Sequence, residues 1–309
     1  MPSCQPSEVI LLKIVVIQHG ARRLTEHNKA LLKIVKEKYL ASFEEKWTTP
    51  QENAFKLTVS AIEENCSAII AVGGDGTIHE VVNGVRHSGK NIPIIILPNG
   101  TANDLARGMQ LDWNSEKLQA AIERVNCKDI DLIRMTHKGK VSWCVNIADT
   151  GFGGHVVQIL NKQRNYLGGS FSYVLAILRS FISFRKPDVQ VSCYEKEYKG
   201  PMLLAACCKG PMFGDGLYIA PEAKIDDGWM HVTLLGKVNF LDYVRNLSRL
   251  KRKQEIKHPE AFYFKTKKIQ IQIEKGLSFT EADGELIGEG AIEFEIEPAS
   301  LRLIVPFEE

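Results

Sequence analysis

The sequence predicts an α/β domain on a parallel, three-layer sheet followed by a β-sandwich domain, and three observations predict it. Over the first 125 or so residues, near-continuous apolar runs alternate with amphipathic helical stretches, the pattern of a parallel sheet covered on both faces. After Cys127 the pattern changes to many short strand-like runs with turn residues between them, a density that suits an antiparallel sandwich or barrel. Two of the early apolar runs also stop at glycine turns that lead straight into helical patterns. The expected boundary lies near 128, with an α/β domain over 1–128 and a β-rich domain after it.

In chain order, LLKIVVI (11–17) reads as the first strand, and a helical stretch near 26–39 follows with Leu32, Val35 and Tyr39 on one face. FEEKW (43–47) is a short second strand, and the helix near 52–64 places Phe55, Val59 and Ile62 on one stripe. AIIAV (68–72) and PIIILP (93–98) are strands with helices behind them, and SEKLQAAIERV (115–125) is a further helix. In the second half, IDLIRMT (130–136) and VSWCVNIA (141–148) flank the turn HKGK, and helices are expected near 152–165 and 169–184. VQVSCY, MLLAACC, WMHVTLL, IQIQI, LSFT, IEFEI and LRLIV then read as separate short strands.

Hydrophobic content of 44% and charged content of 25% belong to an ordinary globular chain. A formal charge of +2 is too small for a general nucleic-acid binder, so no nucleic acid is expected as partner. The charge is uneven: nine Lys or Arg between Arg245 and Lys268 face only Glu255 and Glu260. Within it, RNLSRLKRKQEIKH (245–258) suits either a solvated helix face or contact with anionic lipids. The seven cysteines include no C-x-x-C pair, which points to free thiols in a reducing cytoplasm rather than to a disulfide framework or zinc site. The run 9–17 carries Lys13 and has no basic segment before it, so it reads as a strand and not as a signal peptide. FSYVLAILRSFISF (171–184) is the most apolar stretch, but Arg179 interrupts it and it is too short to span a bilayer.

The chemistry concentrates in the glycine turns. In AIIAVGGDGTIHEVVNGV (68–85), Val72 ends a buried strand, and Ile78, Val81, Val82 and Val85 form the stripe of the next helix. Gly73, Gly74 and Gly76 allow a sharp turn and a close approach of phosphate to backbone amides. Thr77 and Glu80 have capping-box spacing, which would fix the helix start. Asp75 would repel phosphate unless it serves a metal or a hydroxyl proton, so it is a catalytic or metal-linked candidate; an ordinary βα turn with a capping aspartate is the bland alternative. PIIILPNGTANDLARG (93–108) repeats the logic: strand, Asn99-Gly100-Thr101, then a helix with Asn103 and Asp104 as cap residues. Two adjacent strands that end in Gly-Thr helix starts would make a paired anion cradle.

GGDGTIHEVVNG with LPNGTANDLAR resembles the signature of the diacylglycerol kinase catalytic-domain family, most closely its soluble bacterial lipid kinases, with sphingosine and ceramide kinases as relatives. GFGGHVV (151–157), YVLAILRSFISFRKPDVQV (173–191), APEAKIDDGWMHVTLL (220–235) and ADGE (282–285) resemble family segments in the same order. The resemblance implies an α/β nucleotide-binding domain and a β-sandwich domain over 129–296, with the active site in the cleft between them and residues 297–309 returning to the first domain. It implies ATP across Gly73, Gly74, Asp75, Gly76, Thr77, Ile78, His79 and Glu80, and near Asn99, Gly100, Thr101 and Asn103. Thr48 is expected to contribute, with Thr49 nearly as good by loop count and a plain helix cap open for either. Gly20 and Arg22 belong to the same set, although IQHGARRL (17–24) lacks the family's Asn-Pro loop there. Arg22 and Arg23 either replace those phosphate contacts or are exposed charges.

Further by resemblance, Glu285 accepts the proton of a lipid hydroxyl, while Asp283 and Asp75 aid metal or water placement. Asp283-Gly284 is also a favoured hairpin turn, and the two readings are compatible. KIDDGW (224–229) resembles a Mg²⁺ site in bacterial members, to which Asp227 would give its carboxylate and Lys224 and Trp229 their carbonyls; a solvated turn is the alternative. The expected function is ATP- and Mg²⁺-dependent phosphorylation of a lipid hydroxyl, diacylglycerol first, by a cytoplasmic protein that meets its substrate peripherally at a membrane surface. A homodimer is left open. Sphingoid-base or ceramide phosphorylation, NAD phosphorylation, and non-catalytic nucleotide or lipid binding are the alternatives.

Overall fold

A computed structural model describes residues 13–39, 42–163, 170–194 and 196–307. Leu11 and Leu12 of the expected first strand, the ends of two expected helices at 164–169, and Cys4 lie outside them. The chain forms β1 (Ile14–Gln18), α1 (Glu26–Lys38), β2 (Phe43–Trp47), α2 (Ala54–Glu63), β3 (Ala68–Gly73), α3 (Asp75–Ser88), β4 (Ile94–Pro98), α4 (Asp104–Gly108) and α5 (Ser115–Glu123). Then come β5 (Cys127–His137), β6 (Lys140–Cys144), β7 (Ile147–Gly151), α6 (Phe152–Gln163), α7 (Ser170–Ser183), β8 (Asp188–Cys193), β9 (Lys196–Pro201) and β10 (Leu204–Cys208). The chain continues with β11 (Met230–Leu235), α8 (Phe240–Lys251), β12 (Ala261–Thr266), β13 (Lys268–Lys275), β14 (Phe279–Ala282), β15 (Glu285–Glu289) and β16 (Ile292–Ile304).

Two compact units result. The first runs to Gly100 and takes in Gln110–Asp129 and the chain from Leu301; the second comprises Thr101–Met109 and Ile130–Ser300. A cut at 128 therefore misplaces Thr101–Met109. Two hydrogen bonds and an ion pair account for the grouping: the Asp104 carboxylate accepts from the amides of Asp215 (3.1 Å) and Gly216 (3.0 Å), and Arg107 pairs with Asp215 at 2.9 Å.

In the first unit the strands run in the order β2-β1-β3-β4, all parallel. Ile14, Val16, Ile70, Val72, Ile95 and Leu97 pack on Leu31, Leu32 and Val35 of α1 and on Leu118 and Ile122 of α5. The alternate residues Val15, Ile17, Ile69 and Ile96 are equally buried on the face covered by α2 and α3. Burial on both faces is why these strands are continuously apolar in sequence. Asn and Thr side chains start three of the helices: Thr25, Asn53 and Asn114 each accept from an amide in the first turn. The end of β16 returns here, with Leu303 in parallel register with Ile94, and Val305 and Asn126 exchange two hydrogen bonds of 3.0 and 2.9 Å.

The second unit holds two sheets, one ordered β12-β11-β10-β7-β14-β15 and the other containing β16-β13-β8-β9, with β5 pairing β16 and β6. Ala205 and Cys207 of β10, Val232 of β11, Val191 of β8, Ile271 of β13 and Phe294 of β16 form the sandwich core. The outer face of β10 is covered as well: Ala206 and Cys208 pack in a second cluster with Leu235, Val238 and Leu250. Burial pushes the Cys207 and Cys208 thiols far above their ordinary range.

Two strand expectations need correction. VSWCVNIA is not one strand but two, β6 and β7, broken at Val145-Asn146 where both amides turn to the Asp283 carboxylate. IEFEI and LRLIV are not two strands but the single 13-residue β16, which passes Ala299 at a φ of 47°. No helix among the described residues is long and apolar enough to cross a membrane.

Leu303 is 1% exposed at the returning strand's pairing point. Leu303→Ala is expected to cost about 2–5 kcal/mol, read as a lower urea midpoint for the first unit's transition. An unshifted midpoint would mean that the return does not anchor this unit.

Candidate functional site

In the first unit, the carboxyl ends of β2, β1, β3 and β4 place Thr48, Gly20, Gly74 and Gly100 on one edge of the sheet, where α/β folds bind ligands. The two glycine turns touch. The Asn99 amide donates to the Gly73 carbonyl at 2.8 Å, and a Cβ on Gly74 would stand 3.1 Å from the Gly100 Cα. Helix α3 starts at Asp75, and its N-cap is Gly74, which has no side chain to give it a cap bond. This corrects the capping box expected at Thr77 and Glu80: Thr77 lies inside the first turn, buried over Gly73. The Glu80 carboxylate accepts from the Ala54 amide at 2.8 Å and from Asn53 at 3.2 Å, so it serves the start of α2 instead. The N-terminus of a 14-residue helix therefore lies directly behind the touching glycine turns at the carboxyl edge of the sheet, where helix starts favour anions. Asp75 and Gly76 are half-buried at this end. Ile78 and His79 are buried, so their side chains belong to packing.

Thr48 accepts from the Gly20 amide at 3.0 Å and thereby holds the loop after β1. Thr49 accepts from the amides of Gln51 and Glu52, while the cap of α2 is Asn53. Arg22 and Arg23 are exposed. Asn99 is buried, accepts from the Thr25 amide and Asn28 Nδ2 at 3.2 Å each, and donates to the Arg23 carbonyl. It is a brace between loops. Sequence reading missed Asn28, whose only signal is its place one turn after the Thr25 cap.

Thr101, Asn103, Asp104 and Arg107 fall in the second unit. Helix α4 begins at Asp104 rather than at Gly-Thr and has five residues, so the second half of the expected anion cradle has no long helix behind it. Asn103 takes a left-handed conformation at its start, with no cap bond from its side chain. Asp104 is raised by burial, against the pull of the Asp215 and Gly216 amides that it holds.

Also in the second unit, Asp283 and Gly284 have φ of 51° and 87°, both left-handed as a tight β14–β15 hairpin requires. The Asp283 carboxylate accepts from the amides of Val145, Asn146 and Ile147 at 3.0, 2.9 and 3.3 Å, and from the Cys144 thiol at 3.2 Å. These partners place Asp283 as a clamp that fixes the turn; Glu285, half-buried, opens β15 directly after it. Beneath the turn, Glu281 lies directly across from Asp149 in the β14–β7 ladder, and both are buried. Burial pushes Asp149 up to about 6, and burial followed by the Asp149 charge pushes Glu281 well above the carboxylate range. Asp149 Oδ2 has no donor among the described residues unless Glu281 carries a proton. A neutral Glu281 that donates to Asp149 and accepts from the Gly284 amide at 2.8 Å resolves the pair. The sequence held the signal, Glu281 two residues before Asp283, but gave it no partner.

At KIDDGW, Lys224 is exposed, while Asp227 and the Trp229 carbonyl converge on a cation of the chain itself. Lys209 Nζ lies 2.9 Å from Asp227 Oδ1, 2.8 Å from Asp131 Oδ2 and 2.8 Å from the Trp229 carbonyl. Burial raises the Asp227 carboxyl, but hydrogen bonds from His231 and Lys209 outweigh it and hold the group at about 2. Burial also keeps His231 below its ordinary value, against the pull of Asp227.

The Asp149–Glu281 pair has a pH signature. Carboxyls in the unfolded chain titrate near 4, so between that pH and the folded value of about 6 the native pair holds a proton that the unfolded chain has lost. Stability therefore falls as pH rises through this window. Glu281→Gln keeps a donor toward Asp149 and removes the shared proton, so its Tm is expected to fall less steeply from pH 4 to 7. Parallel curves for the two proteins would show that the proton is not held there.

Two family models match the chain in sequence order: the diacylglycerol kinase catalytic domain over residues 13–135 and the YegS C-terminal NAD kinase beta sandwich-like domain over 146–305. The protein named "Probable lipid kinase YegS-like" of Shewanella frigidimarina is 28% identical over 81% of this chain and 80% of its own length. A diacylglycerol kinase of Staphylococcus carnosus is 25% identical over 74% of this chain and 73% of its own. The crystal structure of a diacylglycerol kinase from Bacillus anthracis str. Sterne shares the fold, with a TM-score of 0.67 at 18% identity over 95% of this chain and 96% of that one. The glycine-loop unit, the sandwich unit and both matches agree, and the chain belongs to the family of lipid kinases that join a diacylglycerol kinase catalytic domain to a YegS-type C-terminal domain.

Proposed function

We propose that this lipid kinase transfers the γ-phosphate of ATP to a lipid hydroxyl, with diacylglycerol as first acceptor and phosphatidic acid as product. The observation that carries the proposal is the start of α3 at Asp75, behind the glycine N-cap Gly74 and against Gly100 at the carboxyl edge of the sheet. Its backbone amides suit the nucleotide's phosphates, and a side chain at Gly74 would fill the space they need. Gly73 and Gly20 let Thr77 and the Thr48 carbonyl pack close against the same edge, and Asp75 is the carboxylate nearest that helix start in sequence. Mg²⁺ accompanies the nucleotide and neutralises phosphate charge when bound.

In the step itself, the bond from the γ-phosphorus to the oxygen shared with ADP breaks as the lipid oxygen bonds to phosphorus. Glu285 takes the hydroxyl proton, and ADP leaves. Asp283 acts through the turn, holding Glu285 in place with three backbone amides. Glu285→Gln is expected to lower transfer of label from γ-labelled ATP to diacylglycerol in mixed micelles by about 10²–10⁴-fold, with the melting curve unchanged. Full activity in that variant would remove Glu285 from the role. Sphingosine, ceramide and NAD run in parallel: label on either lipid changes the acceptor, and label on NAD overturns the lipid reading.

The membrane surface supplies the substrate. Helices α7 and α8 meet through Phe181, whose ring lies 5.1 Å from Phe240 and 5.3 Å from Tyr243. Around that contact Ile182 is 88%, Leu241 60% and Val244 49% exposed, and exposed Arg245, Lys251, Arg252 and Lys253 follow on the same segment. Apolar residues beside basic ones match an anionic bilayer surface. Ile182→Glu with Val244→Glu is expected to weaken sedimentation with anionic vesicles by at least about tenfold, while ATP binding is retained. Unchanged sedimentation would move lipid contact elsewhere.

A further inference from the structure

The centre around Lys209 occupies the position where the family resemblance puts Mg²⁺, and its residues do not fit that ion. Mg²⁺ takes near-octahedral oxygen ligands at about 2.0–2.1 Å. Here the three donors of an ammonium group meet three acceptors, Asp131 Oδ2, Asp227 Oδ1 and the Trp229 carbonyl, at 2.8–2.9 Å. The other carboxylate oxygens are taken as well. Asp131 Oδ1 accepts from the Ala299 amide at 2.9 Å, and Asp227 Oδ2 bonds His231 Nε2 at 2.8 Å with Lys265 Nζ at 3.7 Å. Asp131 Oδ2 also accepts from the Gly228 amide at 2.7 Å.

The Lys209 side chain is 0% exposed. Its backbone is fixed as well, the amides of Lys209 and Gly210 being bound to the Asn146 carbonyl at 2.8 and 3.0 Å. Two carboxylates face Lys209 within the centre and Lys265 at its rim, which balances the charge. A dication added to them would leave positive charge in a buried place, and one that displaced Lys209 would strand an ammonium in the core.

We infer that Lys209 is the resident cation of this unit: its ammonium, covalently part of the chain, does the structural work of a bound divalent ion, and this centre binds no metal. It joins the start of β5 at Asp131, the end of β10 at Lys209, the turn before β11 at Asp227 and Trp229, and β16 at Ala299. The inference is independent of the lipid-kinase reading, because its readout is stability without nucleotide.

The test is a thermal melt of the nucleotide-free protein in EDTA and in millimolar Mg²⁺, Mn²⁺ or Ca²⁺, with isothermal titration of each ion. Superimposable melts and no saturable heat are expected. A Tm that rises with any of these ions, or saturable binding at one ion per chain, would overturn the inference. Lys209→Met removes the charge at similar length and leaves two buried carboxylates with only Lys265 at the rim, so in EDTA its Tm is expected to fall by about 10 °C; an unchanged Tm would also overturn it. Should that variant fail to fold, the titration of the unmodified protein still decides.

Discussion

The Asp283 carboxylate is the constraint on which the β14–β15 end of the second unit depends. A buried carboxylate needs donors or a counter-charge, and this one collects three consecutive amides and a thiol. Charge-assisted bonds of this kind are worth about 1.5–3 kcal/mol each, enough to impose their geometry on the backbone. They break what would have been one strand into β6 and β7, and they make the left-handed turn at Asp283-Gly284 affordable. They also set the register that lays Asp149 opposite Glu281. Glu285 then has one place to be, because the residues before it are held on both strands of the hairpin.

Two buried acidic centres in this unit solve the same electrostatic problem in opposite ways. At Asp149 and Glu281 burial dominates, and a proton supplies the compensation. At Asp131 and Asp227 an ammonium does it, and Asp227 stays ionised down to about 2. The contrast follows from desolvation against partner charge. It makes the first centre sensitive to pH in the neutral range and the second insensitive to it.

The two-unit plan was legible in the sequence because burial writes itself into local pattern. β1, β3, β4 and β10 are covered on both faces and are therefore unbroken apolar runs, and the helices between them show a single stripe. The turn at Gly74 was legible from the glycines around it, although Gly73 ends β3 and Gly76 already lies in α3. The errors came from partners far away in sequence. VSWCVNIA looks continuous until Asp283, 137 residues on, takes the Asn146 amide. Glu80 has the right spacing to cap its own helix, yet spends its carboxylate 26 residues back at Ala54. Lys209 follows an apolar strand with no periodic signal, and its carboxylates lie 78 and 18 residues away. Thr48 and Thr49 were indistinguishable by loop count, and only the fold assigns the first to Gly20 and the second to Gln51 and Glu52.

Strand β10 carries Cys207 and Cys208 side by side, one turned to each of the unit's two apolar clusters. Both thiols are held in the protonated, unreactive form by burial. Both end a strand that is paired on both sides, so a thiolate-seeking reagent reaches Cys207 when the sandwich opens and Cys208 when its cover of Ile219, Ala220 and Leu250 lifts. The two sulfurs are thus internal clocks, one for each face of the sheet. Alkylation of Cys207 counts openings of the sandwich, and alkylation of Cys208 counts the lifting of the segment that covers the other face.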